Sequence, residues 1–128
     1  ELVSSSQSRL VIDTSASDGD KLTFQQSRST GNGQVEWGTY DSQRNWVPNG
    51  AIRYTVANQN LVRQILSGSG AITFEEIIVQ GVSSGAERGF TASRVGSLVQ
   101  LTVRSRQSTT DGSNITRDWE MAMRLGAS

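Results

Sequence analysis

Few residues in this chain can do acid–base, metal or nucleophilic chemistry, and their spacing works against each use. Its 128 residues include no histidine and no cysteine. That removes the commonest general base, the commonest transition-metal ligand, thiol catalysis and both the Ser-His-Asp and Cys-His arrangements. An enzyme would have to work with paired carboxylates, Lys or Tyr. Glu75-Glu76 is the only adjacent carboxylate pair. Successive side chains in a strand leave opposite faces, so these two cannot share a proton or flank one bond. Solvated charge at a bulge is the better reading of them. No catalytic residue is expected.

Metal and cofactor chemistry fare little better. Asp13, Asp18 and Asp20 stand around Gly19 and are the set that would gather about Ca²⁺. The EF-hand spacing with its later Glu is absent, and a solvated turn explains the three more simply. Asp111-Gly112-Ser113-Asn114 reads the same way. No glycine-rich loop runs into Lys-Ser or Lys-Thr, so nucleotide binding has no support, and no cofactor or small-molecule substrate is expected.

Binding surfaces are the remaining possibility. Trp37, Trp46 and Trp119, with Tyr40 and Tyr54, would suit an aromatic platform for a sugar, as in a carbohydrate-binding or adhesin β-module. Trp37 and Trp119 fall in phase with core positions, so packing is expected of them. Trp46, in a loop beside Arg44 and Asn45, is the one left to touch a ligand. Arg104, Arg106 and Arg117 would meet across the last hairpin as a basic strip. Such a strip would touch phosphate, although outward-facing solvated charge is preferred. With 12 basic and 12 acidic residues the net charge is zero, which lends DNA binding no support.

The elements that must position these residues are mostly strands. Apolar content is 34%, with 13 glycines, which fits thin, one-sided strands and polar turns in one domain spanning 1–128. Period-two alternation marks strands over 21–26, with Leu22 and Phe24 on one face, and over 34–40. A loop is expected from 41 to 50. The clearest hairpin joins Ile52, Tyr54 and Val56 through Asn58-Gln59-Asn60 to Leu61, Arg63 and Ile65. Val56 should meet Leu61, Tyr54 should meet Arg63, and Ile52 should meet Ile65. Arg63 would then lay its guanidinium near the Tyr54 ring. Residues 71–82 favour a strand with a bulge at Glu75-Glu76, and 81–94 read as loop anchored by Phe90. Val99, Leu101 and Val103 alternate over 98–104. The last strand, with Trp119, Met121, Met123 and Leu125 on its dry face, should return antiparallel to it. Residues 1–12 read as the final turns of a longer helix, although their serine run is a weak helix former. The fold class expected is α+β, mostly β: antiparallel sheet of about seven short strands (the β-rich head, 13–128) packed against that truncated N-terminal helix.

This order of elements resembles the prepilin-type minor pilins and pseudopilins, in particular the W-type minor pilins and the J-type pseudopilins of type II secretion. The residues that carry the likeness are the hairpin Ile52-x-Tyr54-x-Val56 to Leu61-x-Arg63 and the closing Met121-Ala122-Met123-Arg124-Leu125. The family's leader, apolar anchor helix and its glutamate are not in these residues, and a start at Glu1-Leu2-Val3 reads as a trimmed chain. The resemblance implies a structural subunit of a type IV pilus or type II secretion pseudopilus. Such a subunit serves fibre assembly or the fibre tip, and through it motility, adhesion, DNA uptake in natural transformation, or secretion. Its implied partners are other pilin or pseudopilin subunits, and the inner membrane through a preceding helix. Its implied location is the periplasm or cell surface of a bacterium, anchored in the inner membrane before assembly. Tyr54, Arg63, Trp37 and Trp119 are its expected structural residues.

Overall fold

Alternation dictates most of the strands, whereas their pairing and cover come from contacts between distant parts of the chain. A computed structural model describes residues 10–15, 19–83, 88–96, 98–108, 112 and 114–124. It contains eleven strands: β1 (Leu10–Asp13), β2 (Lys21–Phe24), β3 (Gln26–Ser29), β4 (Val35–Tyr40), β5 (Trp46–Pro48) and β6 (Ala51–Ala57), then β7 (Asn60–Leu66), β8 (Ile72–Gln80), β9 (Phe90–Val95), β10 (Leu98–Ser108) and β11 (Asn114–Arg124). They form a five-stranded sheet ordered β1-β2-β6-β7-β8 and two three-stranded sheets, β11-β10-β9 and β3-β4-β5. Every pairing is antiparallel.

The expected α+β architecture is wrong. No helix occurs among the described residues, and the fold they form is all-β. Of the segment expected to be helical, residues 1–9 lie outside the described part. Leu10-Val11-Ile12 belongs to β1, with Leu10 opposite Phe24 and Ile12 opposite Leu22. Two β-branched residues in succession prefer the pleated conformation, and pairing to β2 satisfies their backbone groups.

A second sheet is what covers the five-stranded sheet. Its core face presents Leu10, Leu22, Phe24, Ile52 and Leu61. These cluster with Val82 and with Phe90, Ala92, Val99, Leu101 and Val103 from β9 and β10. Each inner face is apolar at most alternate positions, so the two faces interdigitate as in a sandwich. Leu22, Phe24 and Val99 are wholly removed from solvent, and burial of each such side chain contributes about 1.5–3 kcal/mol. The opposite face of the five-stranded sheet buries Thr55, Val62, Gln64 and Leu66. The β3-β4-β5 sheet meets it at β6. Gln25 ties that junction, its amide donating to the carbonyl oxygens of Asn49 and Gly50 at 3.1 Å each.

Register matches expectation in the central hairpin. Val56 faces Leu61, Tyr54 faces Arg63 and Ile52 faces Ile65. Asn58 and Gln59 turn the chain with φ of 52° and 63°, the doubly left-handed pair that matches strand twist. The 98–104 strand does pair with the last one. Two expected loops instead contain strands, β5 at 46–48 and β9 at 90–95. Bulges in β8 fall between the partners of Leu61 and Val62 and of Ile65 and Leu66, and not at Glu75-Glu76.

Candidate functional site

Asp20 shows how position overrides residue type. It immediately precedes β2, where its N–H donates to the Phe90 carbonyl at 2.8 Å. Its carboxylate accepts the Ala92 N–H at 2.8 Å and pairs with the Arg88 guanidinium. The group is buried, its side chain 6% exposed against 32% for Arg88. One oxygen is occupied by a donor from β9 and the other by Arg88, two residues ahead of β9, so Asp20 is a joint between layers. Asp13 is exposed and accepts the Ser15 N–H and hydroxyl at 2.9 and 2.6 Å. The Ser15 hydroxyl, then its N–H, hold the Asp13 carboxyl below the usual carboxylate range. Asp18 lies outside the described residues. Asp13 and Asp20 thus have different partners, and no group of three possible metal ligands occurs among the described residues.

Trp46 is not the open platform expected of it. It lies on β5 opposite Tyr40, and Gly38 is paired with Pro48 beside it. The Tyr40 ring meets it edge-on at 5.1 Å, and the Arg28 guanidinium sits 4.5 Å above its centre. Arg28 in turn pairs with Glu36. A Cβ on Gly38 would fall 2.2 Å from the Val47 carbonyl oxygen and 3.0 Å from the Trp46 ring, so glycine is what allows β5 to approach. The indole Nε1 is buried with no hydrogen-bond partner among the described residues. Arg44 is exposed on the 41–45 turn, with φ 66°. That turn is held by Asp41, whose carboxylate accepts the N–H groups of Gln43 and Asn45. The ring that would stack on a sugar already carries a guanidinium, a preference of cations for the face of indole.

Tyr54 and Arg63 lie opposite one another on β6 and β7. The Tyr54 ring stacks on Phe24 with centroids 6.2 Å apart. Arg63, 16% exposed, approaches Glu76 at 3.5 Å. Glu75 takes the other face and accepts the Gln64 amide at 2.9 Å. Trp37 is half-buried.

The β10–β11 ladder departs most from expectation. Arg104 makes a two-pronged pair with Asp118, 2.9 and 3.2 Å, and its guanidinium lowers the Asp118 carboxyl below the ordinary range. Arg117 is opposite Ser105 and Arg106 opposite Thr116. Because neighbours along a strand alternate faces, the register puts Arg117 on the opposite side of the sheet from Arg104. No single basic strip forms. On the side of Arg117, Trp119 is opposite Val103 and Met121 opposite Leu101. Val103 and Leu101 are 5% and 7% exposed, yet Trp119 and Met121 are 44% and 54% exposed. The core face of this sheet therefore runs on sideways past its cover. A depression of about 320 Å³ is bounded by Gln100, Leu101, Thr102, Glu120, Met121 and Ala122, four of which take the face opposite Leu101 and Met121. Burial of Trp119 was expected from its phase. Phase fixes which side a residue takes, whereas cover depends on how far the opposing sheet extends.

The sequence reading missed Arg88, Arg28 and Gly38. Arg28 was within reach, since a hairpin closed around Asn32-Gly33 puts it opposite Glu36. Nothing local links Arg88 to Asp20. In comparisons with known proteins, the chain matches no protein-family model, no curated sequence and no solved structure.

Proposed function

We propose that this chain is the head of a structural subunit of a prepilin-type fibre, a type IV pilus or a type II secretion pseudopilus, and that it works by contact with other subunits and not by catalysis. The hairpin from Ile52 to Arg63 and the closing segment from Met121 support the family likeness. The observation that carries the reading of function is the exposed apolar stripe at Trp119 and Met121 on an edge strand. Large apolar side chains set on the continuation of a core face mark a surface that meets protein. In a fibre subunit that surface would be covered on assembly. The test is deletion of the gene in its native host, followed by complementation with the wild type and with Trp119→Ser/Met121→Ser. Loss of surface fibres or of secretion, restored by the wild type and not by the variant, is expected. Normal fibres, secretion and transformation in the deletion strain would refute the proposal.

A further inference from the structure

Six strands lie at the edges of the three sheets, and five of them are short, bulged or tied to a neighbour. β1, β3 and β5 have 4, 4 and 3 residues. β8 carries two register shifts. β9 is tied to Asp20 through Ala92. Short edges and bulges are the ordinary protections against further pairing. β11 has none of them. It runs 11 residues, its pairing to β10 is unbroken from Asn114 to Arg124, and its free edge exposes Trp119 and Met121.

The order of residues along β11 selects the partner. Consider two copies of the strand pairing antiparallel about a two-fold axis. Apolar positions stay on one face only if the axis passes through a residue pair, not between residues. With the axis at Trp119, Asp118 meets Glu120 twice. With the axis at Glu120, that carboxylate meets its own copy. Like charges directly opposite are destabilising in each case. With the axis at Met121, position 119 meets 123, Met121 meets Met121, and Glu120 meets Ala122. The same register sets Asp118 against Arg124 on both sides of the axis. No like charges then oppose one another, and the apolar positions 119, 121 and 123 form one row; axes at Arg117 or Asp118 set like charges together, and axes nearer either end of β11 leave Trp119 without a partner in the strand.

We propose that β11 pairs with β11 of a second copy of this chain, antiparallel and centred on Met121. The two three-stranded sheets become one continuous sheet, in which Met121 packs beside Met121 of the second copy and Trp119 beside its position 123. This goes beyond the fibre reading and does not depend on it.

The lack of cysteine allows a direct test. Met121→Cys in the full chain puts two thiols opposite one another across the axis. Val95→Cys, 74% exposed on the other edge of the same sheet, is the control. The wild type should show twice its 13.8 kDa mass in sedimentation equilibrium, falling to the single mass on dilution. Met121→Cys should form a disulfide dimer on the order of 100-fold faster than Val95→Cys, because paired thiols meet at millimolar effective concentration and not at the micromolar protein concentration. Met121→Lys, with an unchanged circular dichroism spectrum, should stay at the single mass. Single-mass wild type at 100-micromolar order, or equal oxidation rates for the two cysteine variants, would overturn the proposal. Dimers in a protein whose deletion leaves fibres intact would sink the fibre reading alone; fibre loss without dimers would sink only this one.

Discussion

Replacing Asp20 with Ala should separate the two main sheets at their corner. Two contacts vanish. The first is the hydrogen bond from the Ala92 N–H, 2.8 Å long and buried. Leaving that donor unsatisfied costs about 1–3 kcal/mol. The second is the pair with Arg88, which keeps a bond to the Thr14 carbonyl at 3.2 Å and is 32% exposed. Water therefore repairs part of that loss, and the pair contributes about 1 kcal/mol instead of the several expected of a fully buried one. Together the expected cost is about 3 kcal/mol. Asp20→Asn keeps a carbonyl oxygen for Ala92 and gives up only the charge, so it should cost about 1 kcal/mol. Urea unfolding followed by tryptophan fluorescence reads both values, with the slope unchanged if the unfolded state is the same. In a thermal scan the Ala variant should melt about 10 °C lower, at roughly 4 °C per kcal/mol for a domain of this size. Ala and Asn variants of equal stability would show that the charge, and not the bond to Ala92, is what matters. A loss below about 1 kcal/mol for Asp20→Ala would refute the joint altogether.

Further outcomes test the other layers. Within one row of the β10–β11 sheet, Leu101→Ala should cost about 2–4 kcal/mol as a core truncation, whereas Met121→Ser should cost under about 1 kcal/mol because its side chain is already exposed; equal losses in urea titration would contradict the exposure of β11. Gly38→Ala forces a methyl against the Val47 carbonyl and should destabilise by about 2–3 kcal/mol, with Trp46 emission moving toward that of exposed indole; a neutral result would mean that β5 does not pack there. Asp118 is lowered by Arg104, so its contribution to stability is in place above the unfolded carboxylate pKa of about 3.9 and is lost as pH falls through the lower folded value. NMR titration should place its midpoint below that of an ordinary Asp, and Arg104→Ala should return it to the ordinary range; an unchanged midpoint would argue against the pair.

How much was legible in advance depended on how local the cause was. The register of the 52–66 hairpin could be read in advance, because alternation on both sides of Asn58-Gln59-Asn60 keeps Ile52, Tyr54 and Val56 on the side of Leu61 and Ile65, although Asn60 itself opens β7. The pairing of 98–104 with the final strand followed from the same logic. β5 escaped notice because three residues around a proline carry too little alternation to register. β9 escaped because Phe90 and Ala92 are its only buried apolar residues. Leu10-Val11-Ile12 was mistaken for a helix end because three residues fit either period. The β-branched pair was the better guide.

Among candidate site residues, the sequence alone settled what chemistry is missing. Without His or Cys the chain has no imidazole or thiol chemistry, and its one adjacent carboxylate pair points to opposite faces of a strand. It also settled which residues share a face, since the two-residue repeat of a strand is a property of the backbone. Contacts between faces were decided by the tertiary structure. Asp20 became a joint because Ala92 of β9 and Arg88, just ahead of it, arrive from a distant part of the chain. Trp46 lost its open face because Arg28 lies over it. Trp119 was left exposed because the covering sheet stops short of β11. Each of these depends on groups brought together from distant parts of the chain or on the extent of an opposing layer, and neither is written in the spacing of neighbours.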